Sequence, residues 1–367
     1  MRSILLKNSS VEVGLLEDCG HLFPVRFFFD TKVIEPMHIA PWVNEELESS
    51  TPKMLKYLRG DFFCAPFGAS DLLADETRPH GSSANDKWND IHIDDSSIKL
   101  RLSKNISGAE LIKEISIREN ETVIYQKHTF VGGEGKIPVG HHAMLRIPSR
   151  AFISFSDFDF AGTPPQPIET ESNLGRSILK YPQQFSHLTN IKRFDNAAID
   201  VSIYPFDTNH EDLYMIISRK DIPFGWSAVS CPDEGWLWYS IKNINLLPNT
   251  VIWLSNGGRY YPPFSSRHKN VIGVEETASF FHLGHKASAG TNFLNKSGYK
   301  TYIELTKAGV TEITYLFGLV QIPNEFGKVK SIKAVRDGIE IVDVNKNVVY
   351  SKVNLNHIKF SEENWEL

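Results

Sequence analysis

The chain is short of cysteine, of surplus basic charge, of long apolar runs and of helical periodicity, and each shortage removes a class of protein. It holds 3 cysteines in 367 residues, Cys19, Cys64 and Cys231, an odd number without CxxC spacing. That pattern suits neither a disulfide framework nor a zinc site. Reduced thiols fit the cytoplasm, which is the expected location. The 39 Lys and Arg against 44 Asp and Glu leave a formal charge of −5, which argues against a nucleic-acid or anionic-membrane surface. The expected partner is a small neutral molecule or a second copy of the chain in a homodimer. No stretch approaches the roughly 18 apolar residues of a membrane-spanning helix. The first apolar run, Ile4-Leu5-Leu6, stops at Lys7, too soon for the core of a signal peptide.

What the chain does contain is strand after short strand. Residues 3–6, 11–16 and 22–30 (LFPVRFFFD) read as strands, and 36–42 as an extended, proline-broken crossing. Residues 45–57 offer a brief helical possibility that Pro52 interrupts. Strand-length runs follow at IHI (91–93), SIKLRLS (97–103), AELIKEISI (109–117) and TVIYQKHTF (122–130). Within 111–117, apolar and charged residues partly alternate, as a strand with one wet face requires. Residues 161–184 are rich in proline and polar groups and read as an irregular surface excursion inserted within one domain. Strands resume at 198–203, 214–218, 226–231 and 236–241, with TEITYLFGLV (311–320) the clearest of all. Many short strands at even spacing predict an all-β fold, a large antiparallel sandwich or barrel formed by residues 1–367 as a single domain.

Three constellations could carry chemistry. The first, 58–88, runs from Arg59-Gly60 through an aromatic strand to His80-Gly81 and Trp88. A histidine beside a glycine can present its ring at close backbone approach, and an aromatic face suits the apolar face of a sugar. The same histidine also fits a plain loop position bonded to a backbone carbonyl. The second is VGHHAMLRI (139–147), where adjacent histidines on a strand face opposite ways. One of His141 and His142 can therefore serve a pocket while the other packs. Histidine is the natural proton donor near neutral pH, because its reference pKa is about 6.5. The third is 251–281, an aromatic strand and Gly/Pro/Ser turn leading to an apolar strand, VIGV, that ends in Glu275 and Glu276. Alternation again allows only one of that pair into a pocket, and a solvated strand end is the plain reading.

In this order the three constellations resemble the aldose 1-epimerase (galactose mutarotase-like) family. RGDFFCAPFG followed by PHGSSANDKW is similar to the family's Gly-rich strand, then His-Gly with a Trp seven residues on. Gly140-His141-His142-Ala143 is similar to its catalytic-histidine strand. LPNTVIWLSNGGRYYPP followed by VIGVEETASF resembles the Pro-aromatic segment leading to the catalytic glutamate, and ELTKAGVTEITYLFGLV resembles its closing strands. The resemblance spans about residues 3–320. The chain departs from the pattern at Ala84, where family members often carry an arginine, and at Ala143-Met144, where Pro or Thr usually follows the histidine.

The resemblance implies a β-supersandwich that interconverts the α and β anomers of a sugar without cofactor or metal. It places Glu275 as the base that takes the C1 hydroxyl proton and His142 as the acid that protonates the ring oxygen. His80, Arg59 and Trp88 become substrate contacts, with His141, Asn85 and Tyr261 beside them. Two alternatives follow from the departures. One is a carbohydrate-binding protein of the same fold without turnover. The other is a hexose 6-phosphate 1-epimerase, which requires Arg59, Arg78, Lys87, Arg259 and Arg267 to converge on a dianion.

Overall fold

A computed structural model describes residues 2–69, 71 and 78–358. Part of the 58–88 constellation, Ser70 and residues 72–77, thus lies outside the described residues. Most of the expected strands are present with shifted ends: Ser3–Lys7, Val11–Leu16, Leu22–Phe29, Ser97–Leu102, Ala109–Ile117, Val123–Gly132, Trp236–Lys242 and Val310–Gln321. Along Ala109–Ile117 burial alternates residue by residue, the signature of a strand with one packed face. The run expected at 198–203 is instead two pieces, Ala198–Ile199 and Ile203–Tyr204. Between them the Asp200 carboxylate accepts from the Ser202 N–H at 2.9 Å, a side-chain turn that outcompetes the ladder. Of residues 45–57 only Lys53–Lys56 is helical. Two further short helices, Gly284–Ala289 and Phe293–Lys296, escape a periodicity reading because they are 6 and 4 residues long. The second has a local signal in Asn292, whose side chain accepts from the N–H of Asn295 in a reciprocal capping box.

Two large antiparallel sheets build the sandwich. One has eight strands, in the order Gln184–Phe185, Phe158–Gly162, His210–Ser218, Asn249–Asn256, Val271–Ala278, Val139–His141, Phe63–Cys64, with Ala143–Arg146 also paired to Val271–Ala278. The other has nine and includes Ala109–Ile117, Val123–Gly132, Gly225–Cys231, Trp236–Lys242 and Val310–Gln321. The main apolar core fills the space between them, with Phe63, Val139, Leu145, Ile252 and Val274 meeting Phe130, Trp238, Tyr315 and Phe317. A second apolar cluster covers the outer face of the eight-stranded sheet, where Met144, Met215, Val251 and Trp253 pack against Trp42, Phe62, Phe67 and Phe264. The central strands of this sheet are thus buried on both faces. That explains why His210–Ser218, Asn249–Asn256 and Val271–Ala278 are buried at every position and show no alternation in sequence.

Residues 163–183 are irregular, yet both flanks belong to the eight-stranded sheet and pair with each other, Ala161 opposite Phe185 and Gly162 opposite Gln184. The excursion lies against the turn after Asn249–Asn256: the Arg176 N–H donates to the Gly258 carbonyl at 2.9 Å and the Tyr260 N–H to the Leu174 carbonyl at 2.8 Å. Among the described residues no helix is long and apolar enough to cross a membrane.

Candidate functional site

Strand register brings the two remote motifs together. Gly140 pairs with Thr277 and Ala143 with Val274, one continuous alignment that sets His142 level with Glu275 and His141 level with Glu276. Cross-strand partners share a face of the sheet, so the four side chains divide into two pairs on opposite faces. His142 and Glu275 lie on the outer face, with His142 Nε2 3.2 Å from Glu275 Oε1. Only 4% of His142 and 3% of Glu275 is exposed. Gly273, two residues before Glu275 on the same face, makes room, since a Cβ there would stand 2.9 Å from Glu275 Oε1.

Rings enclose the pair. Phe62 stacks on His142 with centroids 4.6 Å apart and planes 18° from parallel, while His80 and Trp253 meet it edge-on at 5.1 and 5.7 Å. Such an apolar wall penalises charge. Burial holds the Glu275 carboxyl well above the usual carboxylate range. Burial also holds the His142 imidazole well below its ordinary value, and His80 adds to that effect. Both shifts favour an uncharged pair that shares one proton, carried by the carboxyl.

The neighbouring residues have another task. Glu276 is fully buried and accepts from Ser227 Oγ at 2.6 Å, Ser240 Oγ at 2.8 Å and Thr250 Oγ1 at 2.7 Å, and it pairs with Lys242 Nζ at 2.5 Å. The two serines belong to the nine-stranded sheet, so Glu276 ties the sheets together across the core. His141 likewise turns inward and stacks on Tyr315 of the opposite sheet at 4.0 Å. The expectation of His141 as a substrate contact therefore gives way to a core position, for the reason that alternation sends it to the face opposite His142.

The other expected contacts divide. His80, in the left-handed region at φ 60°, comes to the pair. Its pKa is pushed down to about 3 by burial, with His282 and Arg259 adding. Gly81 follows at φ +67°, where a Cβ would lie 2.3 Å from the Ala65 carbonyl oxygen. Asn85 holds this turn from within, donating to the Pro79 and Gly81 carbonyls at 2.9 and 2.8 Å and accepting from the Met54 N–H at 3.0 Å. Its polar atoms are thereby used in scaffolding. Trp88 is fully buried in the core between the sheets, with its indole N–H on the Ser83 carbonyl at 3.1 Å; the strand it opens belongs to the nine-stranded sheet. Arg59 donates from Nε to the Tyr57 carbonyl at 3.2 Å and covers the Phe23 ring at 5.6 Å. Tyr261 donates to Glu169 at 2.8 Å, on the rim formed by the 163–183 excursion.

Several residues of the site were not singled out by sequence. Glu211, fully buried, accepts from the Trp253 indole at 2.5 Å and from Ser255 Oγ at 2.9 Å, and its pKa is raised to about 7 by burial against the opposing pull of Arg259. Arg259, which the sequence offered only for a sugar phosphate, lies over Trp253 at 5.7 Å and joins Glu169 to this group at 3.0 Å. His268 stacks on Trp253 at 5.1 Å. The only sequence signal for Glu211 is the charged opening His210-Glu211-Asp212 of a strand that continues mostly apolar, and Phe62 has no signal beyond aromatic character. Among the described residues no three His, Cys, Asp or Glu side chains converge as a metal-binding set.

No protein-family model matches the sequence, and no curated protein matches it either. Solved structures match it in fold. A galactose mutarotase related enzyme from Lactobacillus acidophilus superposes with a TM-score of 0.57 at 10% identity, over 88% of this chain and 98% of that one. A candidate aldose 1-epimerase from Escherichia coli K12 gives 0.56 at 12% identity, over 88% and 99%. A TPR-domain containing protein from Parabacteroides distasonis gives 0.55 at 12% identity, over 91% of this chain and 49% of that one. One fold hosts many activities, so these likenesses speak to architecture. The chain has the antiparallel β-sandwich fold of galactose mutarotase-related proteins.

Proposed function

We propose that the chain is a divergent member of the aldose 1-epimerase family and interconverts the α and β anomers of a sugar. The observation that carries this reading is the buried contact of His142 with Glu275 at 3.2 Å. Anomer interconversion needs one group to accept the C1 hydroxyl proton while another donates to the ring oxygen, and the reverse exchange on reclosure. A carboxyl and an imidazole sharing one proton supply both in a single unit. With the proton on His142, Glu275 takes the C1 proton and His142 protonates the ring oxygen. Ring opening then leaves the proton on Glu275, the distribution that burial favours in the free protein. Each proton-transfer group typically contributes about 10²- to 10⁴-fold.

His80 and Trp253 flank the pair and are the proposed sugar contacts, with Tyr261 at the rim. The phosphorylated-sugar alternative draws less support. Arg78 is paired with Asp86 at 2.7 Å, Arg267 with Glu45 at 2.5 Å, Lys87 is exposed, and Arg259 is neutralised by Glu169. The test is saturation-transfer NMR between the anomeric protons of freshly dissolved aldoses, with hexose 6-phosphates as a parallel set. Acceleration of anomer exchange by the wild-type chain is the expected result. Sugar binding without acceleration would replace this reading with that of a carbohydrate-binding protein.

A further inference from the structure

Asp61 is fully buried, and among the described residues no Lys or Arg forms an ion pair with it, although the buried Lys113 ammonium pulls on it from further away. Its Oδ2 accepts from Gln126 Nε2 of the nine-stranded sheet at 2.5 Å, and the neutral His141 ring is 4.0 Å away. A buried carboxylate without a paired charge is costly. Its other bond shows what it holds: Oδ1 accepts from the His142 N–H at 3.1 Å. The ring of His142 stacks on that of Phe62, next to Asp61 in the chain, at 4.6 Å. One buried carboxylate thus grips the backbone amide of the residue whose ring makes the stack.

His142 needs such a grip because it falls between Val139–His141 and Ala143–Arg146, where the ladder is interrupted. Its N–H is shared between the Phe62 carbonyl at 2.9 Å and Asp61. Phe62 is in turn fixed from its other side by His21, stacked at 4.3 Å. The ring order His21, Phe62, His142 then sets the plane of the His142 imidazole and the aim of Nε2 at Glu275.

We propose that Asp61 is a positioning residue for His142, acting through the His142 amide to fix the imidazole against Glu275. This rests on the reading of His142 as a proton-transfer group. Displacement of a reacting group by about 1 Å costs about 10²-fold in rate. Asp61→Ala is therefore expected to lower kcat by roughly 10- to 100-fold with KM little changed, and to shift the ¹⁵N signals of the His142 ring. Asp61→Asn keeps an acceptor for the His142 amide. Gln126 Oε1 has no hydrogen-bond partner among the described residues, so a rotated Gln126 amide can accept from the new side chain, and both kcat and the His142 signals should stay near wild type.

Unchanged kcat and His142 signals in Asp61→Ala would overturn the proposal, as would an Asp61→Asn loss equal to that of Asp61→Ala. Should Asp61→Ala fail to fold, through-hydrogen-bond coupling between the His142 amide nitrogen and the Asp61 carboxyl carbon in the wild-type protein decides, and its absence refutes the grip. If the wild-type chain accelerates no anomer exchange, the functional reading fails while the His142 signals still decide what Asp61 holds.

Discussion

Glu275 and Glu276 are adjacent in sequence, and replacing each with glutamine should produce opposite defects. Glu276 accepts three hydroxyl donors and pairs with Lys242, whose side chain is 1% exposed. Burial already lowers the Lys242 pKa against the pull of Glu276. Glu276→Gln leaves that ammonium buried without a countercharge, a loss of about 3–5 kcal/mol. Among the described residues Glu275 has no Lys or Arg partner, and burial already favours its uncharged form. Glutamine there is nearly isosteric and uncharged, so stability should stay within about 1 kcal/mol of wild type. The catalytic defects should run the other way, with Glu275→Gln losing about 10²- to 10⁴-fold in anomer exchange while retaining sugar binding. Urea unfolding with saturation-transfer NMR on the same samples reads both quantities. A stable, inactive Glu276→Gln beside an active Glu275→Gln would show the strand register to be wrong by one residue. Pairing Glu276→Gln with Lys242→Met should recover much of the lost stability, since no buried charge then remains.

The histidine pair offers the parallel test: His142→Asn should cost at least 10²-fold in rate, whereas His141→Asn should act through stability, and the reverse order in the same exchange assay would refute the facing. A pH profile of kcat/KM should show no inflection from His142 at the ordinary histidine value of about 6.5, because burial holds that imidazole well below it; an inflection at that pH traced to His142 would count against the pair. Stability should fall on acidification. His21 and His80 are pushed down to about 3 and His38 and His282 to about 4. Histidines with lowered pKa stabilise the fold above about pH 6.5, and this contribution fades as pH falls toward their folded values. At pH 5 each of the four costs about 2 kcal/mol, while Glu211 and Asp61, raised to about 7 and about 6, return about 2 and about 1 by taking up protons. Thermal melts from pH 7 to pH 5 should register a net loss of about 5 kcal/mol from these six groups, and a melting temperature that rose over that interval would refute the buried, neutral histidines.

The sequence determined the fold class and most of the strands by itself, because one-faced strands such as Ala109–Ile117 write their burial into alternation. It narrowed the chemistry to one histidine of two and one glutamate of two, since adjacent strand residues face opposite ways. Its family resemblance pointed to His142 and Glu275, the members that the structure brings within 3.2 Å. It could not show that the neighbours turn inward, because His141 and Glu276 find their partners, Tyr315 and Ser227, on a sheet remote in the chain. The central strands of the site sheet are covered on both faces and carry no periodicity, so Glu211 and Trp253 gave no orientation signal. Trp88 has the expected spacing from Gly81 yet packs between the sheets, since spacing along a chain does not fix the face on which a side chain emerges after a turn. The enclosure of the pair by Phe62, His80 and Trp253, and the burial that holds its single proton, are properties of packing, and only the tertiary structure decides them.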